Sequence, residues 1–142
     1  MDPFSLALGG ITICQVAGKI IQLGIGYTQS TRELPTEVRL LISEIALLSS
    51  ILNSLCSSLQ SETYGSAAHI SLDLLEGPIQ ECKGQLEELY ESLVKYQGAG
   101  SKLKNIGKLL KWPMKEQETR EWITRMERYK TAFSMVLQQA EL

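Results

Sequence analysis

The chain has 142 residues, a formal net charge of −2 and an apolar fraction of 44%. That length suits one domain, which can bury roughly two-thirds of the unfolded chain's surface, and the apolar fraction excludes a disordered chain. The near-neutral charge gives no overall attraction to nucleic acid or membrane, so any such preference must come from a local patch. We therefore expect a single domain over residues 1–142.

The first predicted helix covers residues 3–31, and Lys19 is its sole charged residue. Gly10, Cys14 and Gly18 lie on one row of four-residue steps, which Gly26 continues, and such rows of small residues permit close helix contact. The helix also exceeds the roughly 20 residues that span a bilayer. Lys19 and neighbouring glutamines make it a poor spanning helix, because a central lysine costs about 2.5–3.5 kcal/mol. A core helix that is buried at rest is the other interpretation.

Two further helices are predicted at about 35–60 and 67–97. Apolar residues recur in both at three- and four-residue steps, which is typical of amphipathic helices. Gly77-Pro78 lies inside the third helix and predicts a kink or a break there, since proline removes a backbone hydrogen bond. The opposite face of this helix is acidic.

A connector at 98–113 and a last helix at about 115–140 complete the chain. The last helix carries an apolar stripe that includes Trp122, Met126, Tyr129 and Phe133. No stretch alternates with period two for long enough to predict a strand. The pattern predicts an all-α fold, a four-to-five-helix bundle with a long antiparallel helix core. We expect its core to include these four residues and Leu41, Ile45, Leu48, Leu52, Leu86 and Leu89.

The connector is basic, because no acidic residue lies between Glu91 and Glu116. Apolar residues are interleaved with its lysines at helical spacing, as in segments that bind anionic lipid surfaces. The other interpretation is a solvated connector that balances the acidic third helix. Nucleic acid is disfavoured because the run is short and lacks stacking aromatics. The candidate lipid-surface residues are Lys102, Lys104, Lys108, Lys111 and Trp112.

We expect no enzyme, cofactor or metal site. Cys14, Cys56 and Cys82 lack the spacing of a disulfide framework or a zinc site and are expected in the core, in a reducing compartment. His69, the sole histidine, has no evident catalytic partner. Residues 98–102 resemble a phosphate loop faintly, without its spacing or a preceding strand. The acidic opening Met1-Asp2-Pro3 is unlike a secretory signal and favours a cytoplasmic location.

Several segments resemble the N-terminal domains of fungal STAND (NLR-like) receptors, the HeLo-like group. The resemblance covers nearly the whole sequence and depends on the order and spacing of these segments. They are Met1-Asp2-Pro3-Phe4-Ser5, Pro35-Thr36-Glu37-Val38-Arg39, Glu44 to Leu52, Lys108-Leu109-Leu110-Lys111-Trp112-Pro113, Met126-Glu127-Arg128-Tyr129-Lys130 and Leu137-Gln138.

This resemblance implies a bundle similar to the necroptosis executioner bundle and to plant resistance-receptor coiled coils. It also implies a nucleotide-binding or repeat domain downstream, and cell death executed at membranes. The leading hypothesis is therefore a signalling or cell-death effector domain that forms homo-oligomers and is recruited to anionic lipid of the plasma membrane. The alternative is an interaction or oligomerisation module without membrane activity. A small-molecule-binding bundle is disfavoured because aromatic residues are few and no polar groups converge.

Overall fold

The computed structural model describes residues 3–30, 35–60, 69–104 and 112–141, and all regular structure within these ranges is helical. Helix α1 covers Pro3–Ser30, α2 covers Thr36–Gln60, α3 covers His69–Lys104 and α4 covers Glu116–Glu141. The four helices pack as a bundle, which confirms the all-α prediction.

Helix α2 packs closely against α1 and α4, and α1 packs against α3, whereas α3 and α4 make few contacts. The order around the bundle is therefore α3, α1, α2, α4, with an open side between α3 and α4. Helices α1 and α2 are antiparallel, because Gly10 faces Cys56 near one end and Gly24 faces Ile42 near the other.

Ion pairs connect α2 to α4 and show that these two helices run parallel. The carboxylate of Glu37 lies 3.4 Å from the guanidinium of Arg120. Further along both helices, the carboxylate of Glu44 lies 2.8 Å from the ammonium of Lys130. Both members of the second pair are largely shielded from solvent, whereas Arg120 is exposed. The second pair therefore defines the register of α2 against α4 better than the first, because exposed pairs contribute little.

One hydrophobic cluster joins all four helices, and burial of such apolar side chains is the dominant favourable contribution to folding. It is built from leucine and isoleucine with few aromatic side chains, as the composition predicts. The ten core residues predicted from sequence are all buried: Leu41, Ile45, Leu48, Leu52, Leu86, Leu89, Trp122, Met126, Tyr129 and Phe133.

A kink or a break was predicted at Gly77-Pro78, and the break does not occur, because α3 continues through Pro78. Proline leaves the carbonyl of Leu74 without its helical partner. Leu74 and Gly77 are exposed, so water can satisfy that carbonyl. On the other face, Leu75 and Ile79 are buried in the core and hold the helix in place on both sides of the proline.

The connector predicted to begin at residue 98 begins later, because α3 extends to Lys104. Gly98 and Gly100 indicated a linker, and each costs about 0.5–1 kcal/mol within a helix. Extending an existing helix avoids the unfavourable nucleation step, however, and adds one hydrogen bond for each residue. A long helix can therefore pass through two isolated glycines that would prevent a new helix from starting.

Candidate functional site

Helix α1 has a buried face and an outward face that is largely without charge. Its buried face contributes Leu6, Ile13, Ala17 and Ile20 to the core. Large apolar side chains also point outward at both of its ends: Phe4 is 64% exposed, and Leu8 and Ile25 are each 48% exposed. Gln15, Lys19 and Gln22 lie between them and are also exposed. The result is a polar centre between two apolar ends.

Two helices are long and apolar enough to cross a membrane by length and composition. The segments are Phe4–Gly26 in α1 and Thr36–Leu59 in α2, each with a mean hydropathy of 1.6. Core helices of soluble proteins have the same property, and both segments contribute to the core here. The finding is compatible with membrane association.

The glycine row predicted on α1 is divided between two environments. A side chain at Gly10 would collide with the sulfur of Cys56, so this glycine allows α1 and α2 to approach closely. Cys14 is half-buried, and its thiol donates to the carbonyl of Ser49 at 3.5 Å. In contrast, a Cβ at Gly18 or Gly26 would meet no neighbouring atom within 4 Å. The bundle therefore leaves space for a side chain at these two outer glycines, Gly18 and Gly26.

Lys19 is exposed and lies beside α3. Its ammonium lies 5.6 Å from the centre of the Tyr90 ring, within the range of a cation–π contact. The half-buried aromatic ring thereby attracts the one charge of α1 toward the α1–α3 seam.

Trp112 connects the basic segment to the body of the bundle. It is half-buried against Val38, and its indole N–H donates to the hydroxyl of Thr119 at 3.1 Å. Thr119, in the first turn of α4, is buried and donates in turn to the carbonyl of Lys115, the residue before the helix. Trp112 is thus a packing residue at the entrance to α4.

The candidate lysines lie only partly within the structure. The backbones of Lys102 and Lys104 belong to the end of α3, but their side chains lie outside the described residues, as do Lys108 and Lys111 entirely. Trp112 therefore gives the one described anchor of this segment, beside the beginning of α2 and α4.

The open side of the bundle contains a cleft of about 390 Å³ that the sequence analysis did not predict. Polar side chains project into it from both helices, and the guanidinium of Arg125 donates to the Gln85 side chain at 3.0 Å. Arg125 also lies 4.6 Å from the Trp122 ring centre, which positions its guanidinium by a cation–π contact. The lining residues are Pro78, Glu81, Gln85, Arg125, Arg128, Tyr129 and Ala132.

Tyr129 forms the floor of this cleft and stacks on Phe133 with ring centres 6.5 Å apart. Burial raises the pKa of its phenol, and a hydrogen bond to the Glu81 carboxylate raises the pKa further. The phenol therefore keeps its proton at physiological pH and acts as a donor. The sequence signal for this cleft was the four-residue spacing of its polar residues. That spacing places Glu81 and Gln85 on one face of α3, and Arg125 and Tyr129 on one face of α4.

Burial keeps the three cysteine thiols protonated, which disfavours nucleophilic and metal-binding chemistry. Burial raises the pKa of Cys56 to about 11 and that of Cys82 to about 12, and burial also raises the pKa of Cys14. A thiol that keeps its proton at neutral pH is a weak nucleophile and a poor metal ligand. Within the described ranges no three His, Cys, Asp or Glu side chains are placed to hold a metal ion. The side chain of His69 lies outside these ranges.

A family model described as "Pigment biosynthesis cluster protein PigL N-terminal" matches residues 1–142. The match agrees with the sequence-based expectation of a fungal, helical N-terminal domain. No curated protein and no solved structure matches the chain.

Proposed function

We propose that this chain, which belongs to the family of PigL N-terminal domains, is a non-enzymatic signalling or cell-death effector domain. It acts from the cytoplasm by oligomerising and by targeting the plasma membrane, as the HeLo-like domains that it resembles do in fungal STAND (NLR-like) receptors. Its partners are further copies of itself, anionic lipid on activation, and a nucleotide-binding or repeat domain downstream. It requires no cofactor and binds no nucleic acid.

The outward face of α1 carries this proposal. Phe4, Leu8 and Ile25 expose apolar surface there, and the one charge of the helix is drawn toward Tyr90. Apolar side chains that the bundle leaves in water gain free energy from burial in an acyl boundary, at about 25 cal/mol for each Å². Lysines of the basic segment would add about 1 kcal/mol each near an anionic surface.

A second candidate function is a protein-interaction or oligomerisation module without membrane activity. The observation that favours it is the polar centre of the same face, where Gln15, Lys19 and Gln22 are exposed. Such a centre is costly in hydrocarbon but suits a protein interface, in which polar groups find partners. Gly18 and Gly26 have the open space that a close helix contact would need.

Vesicle binding and dye leakage distinguish the two candidates. We expect the purified domain to bind vesicles that contain anionic lipid, and replacement of Phe4, Leu8 and Ile25 with Ser to weaken that binding strongly. The matched control replaces Leu40 and Leu47 of α2, which are 51% and 48% exposed, with Ser. Because the substituted residues are exposed, the melting temperatures should change little. Equal binding by the parent and the α1 variant would exclude this face as the membrane surface.

Two further variants test the other parts of the mechanism. Replacing Lys104, Lys108 and Lys111 with Gln should weaken binding to anionic vesicles and leave neutral vesicles unaffected. Gly18→Leu should reduce leakage without unfolding the domain, if the outer glycines bring copies together in the membrane. If the parent permeabilises no vesicle even when it is forced to oligomerise, the interaction module is the correct function.

A further inference from the structure

The two rims of the α3–α4 cleft carry opposite charges at the same height. The Arg125–Gln85 hydrogen bond fixes the antiparallel register of the two helices. In that register Glu81 on α3 and Arg128 on α4 lie within one residue's rise of each other. Both side chains are exposed at the cleft, and Arg128 makes no ion pair with any described residue.

Two exposed apolar residues lie two turns further along the same helix rows, beyond the residues that line the cleft. Leu74 precedes Glu81 by seven residues and Met135 follows Arg128 by seven, so each pair is about 10 Å apart along its helix. Leu74 is 61% exposed and Met135 is 57% exposed, which are high values for large apolar side chains. Each rim therefore carries one apolar and one charged residue at matching heights, and the charges have opposite signs.

This arrangement is self-complementary about a two-fold axis parallel to the helices. Such an axis exchanges the left and right rims of two facing copies but leaves every height unchanged. Glu81 of one copy then opposes Arg128 of the other, and Leu74 opposes Met135, and each pairing occurs twice. Isologous interfaces require this property, in which residue i meets residue j and j meets i.

We propose that the α3–α4 face, defined by Leu74, Glu81, Arg128 and Met135, is a homodimer interface whose two-fold axis runs parallel to the helices. The proposal rests on the oligomerisation part of the proposed function and names a surface for it that is separate from the α1 face. The occupant is a second copy because the rims match each other in height, charge and apolar character.

The next level along the rims limits the extent of this interface. Glu88 follows Glu81 by seven residues, Glu121 precedes Arg128 by seven, and both glutamates are exposed. The same axis would oppose these like charges, so the contact ends before them. An interface of two levels is small, and small interfaces give weak, transient complexes. We therefore expect a dimer that forms in the upper micromolar range and is detected by its concentration dependence.

Charge reversal combined with sedimentation velocity in lipid-free buffer tests the interface. We expect the parent to shift from monomer to dimer with rising concentration. Glu81→Arg and Arg128→Glu should each weaken the dimer by about tenfold or more, because each creates two like-charge contacts. An equimolar mixture of the two variants should recover association, since their reversed charges are complementary. Glu91 on α3 and Arg39 on α2 are exposed and lie away from the cleft, so Glu91→Arg and Arg39→Glu are the matched controls.

The outcomes separate this interface from the membrane proposal. A parent that stays monomeric, single reversals that dimerise like the parent, or a mixture that fails to associate would each overturn the dimer interface. Melting curves for each variant establish that it is folded, and the mixture provides a recovery that unfolded protein could not give. Vesicle binding through α1 is measured independently, so a failed dimer leaves that proposal standing, and failed vesicle binding leaves the dimer standing.

Discussion

The α1–α2 seam and the α3–α4 seam of this bundle pack very differently. At the first seam, Gly10 and Gly24 let the backbones approach until the side chains of Cys56 and Ile42 fill the space a Cβ would need. At the second seam, Gln85 and Arg125 meet by a hydrogen bond across a cleft. Small residues close one seam, and long polar residues hold the other open.

The difference shows how one bundle can separate its stabilising and interacting surfaces. A closed seam gains dispersion energy and excludes water, so it tolerates little change in volume. An open seam contributes less to stability and presents polar groups that a partner can satisfy. Substitutions at the closed seam should therefore affect folding, and substitutions at the open seam should affect association.

The largest effect is expected for Leu48→Ala in α2. Leu48 is fully buried, so the substitution removes apolar contacts and leaves a cavity, at a cost of about 2–5 kcal/mol in the free energy of unfolding. Its neighbour Leu47 is 48% exposed, and Leu47→Ala should cost much less. Denaturant titration measures both. A loss below about 1 kcal/mol for Leu48→Ala would contradict the placement of this face in the core.

The next effect compares one substitution at two glycines of α1. Gly10→Leu places a side chain against Cys56 and should lower the free energy of unfolding by about 1–3 kcal/mol. Gly18→Leu enters open space and should raise it by up to about 1 kcal/mol, because a glycine within a helix is replaced. Opposite signs in thermal and urea unfolding would confirm the comparison, whereas equal losses would show that both glycines pack inside.

The closed seam was the part of the molecule that could be predicted from the sequence. Leu41, Ile45, Leu48 and Leu52 recur with helical period in α2, and periodicity determines which face is buried whatever covers it. The Gly10-Cys14-Gly18 row also predicted a close helix contact, but α2 approaches α1 at Gly10 and Gly24, and Gly18 lies outside that contact. One-dimensional spacing shows that residues share a row and does not show how far a neighbouring helix follows it.

The open seam could not be predicted, because it depends on which helices are neighbours. Glu81 and Arg128 each appear in the sequence as part of a solvated helix face. Only the order α3, α1, α2, α4 brings them to opposite rims of one cleft. The end of α3 was misjudged for a related reason: local glycine content indicated a linker, and the cooperativity of a long existing helix outweighed it.

A smaller effect on stability is expected at the open seam for Gln85→Ala. The substitution removes the acceptor for Arg125, and a hydrogen bond of this kind contributes about 0.5–1.5 kcal/mol. The Trp122 ring still supports the guanidinium and reduces the loss. Gln80→Ala on the exposed side of α3 is the control. A loss as large as that of Gly10→Leu, measured by the same urea titration, would contradict the description of this seam as the weaker one.

The smallest effect is a pH dependence at the beginning of α2. Glu37 accepts a hydrogen bond from its own backbone N–H and interacts with Arg120, and these contacts lower the pKa of its carboxyl below the ordinary 4.5. A lowered pKa means that the charged form is favoured in the folded state, so this contribution is present at neutral pH. It is lost as the pH falls through the native pKa. The melting temperature of Glu37→Gln should therefore lie slightly below that of the parent at pH 7 and approach it in strong acid. For the control Glu118→Gln, the difference from the parent at pH 7 should be smaller. A difference for Glu37→Gln that grows on acidification would reverse the sign of the argument.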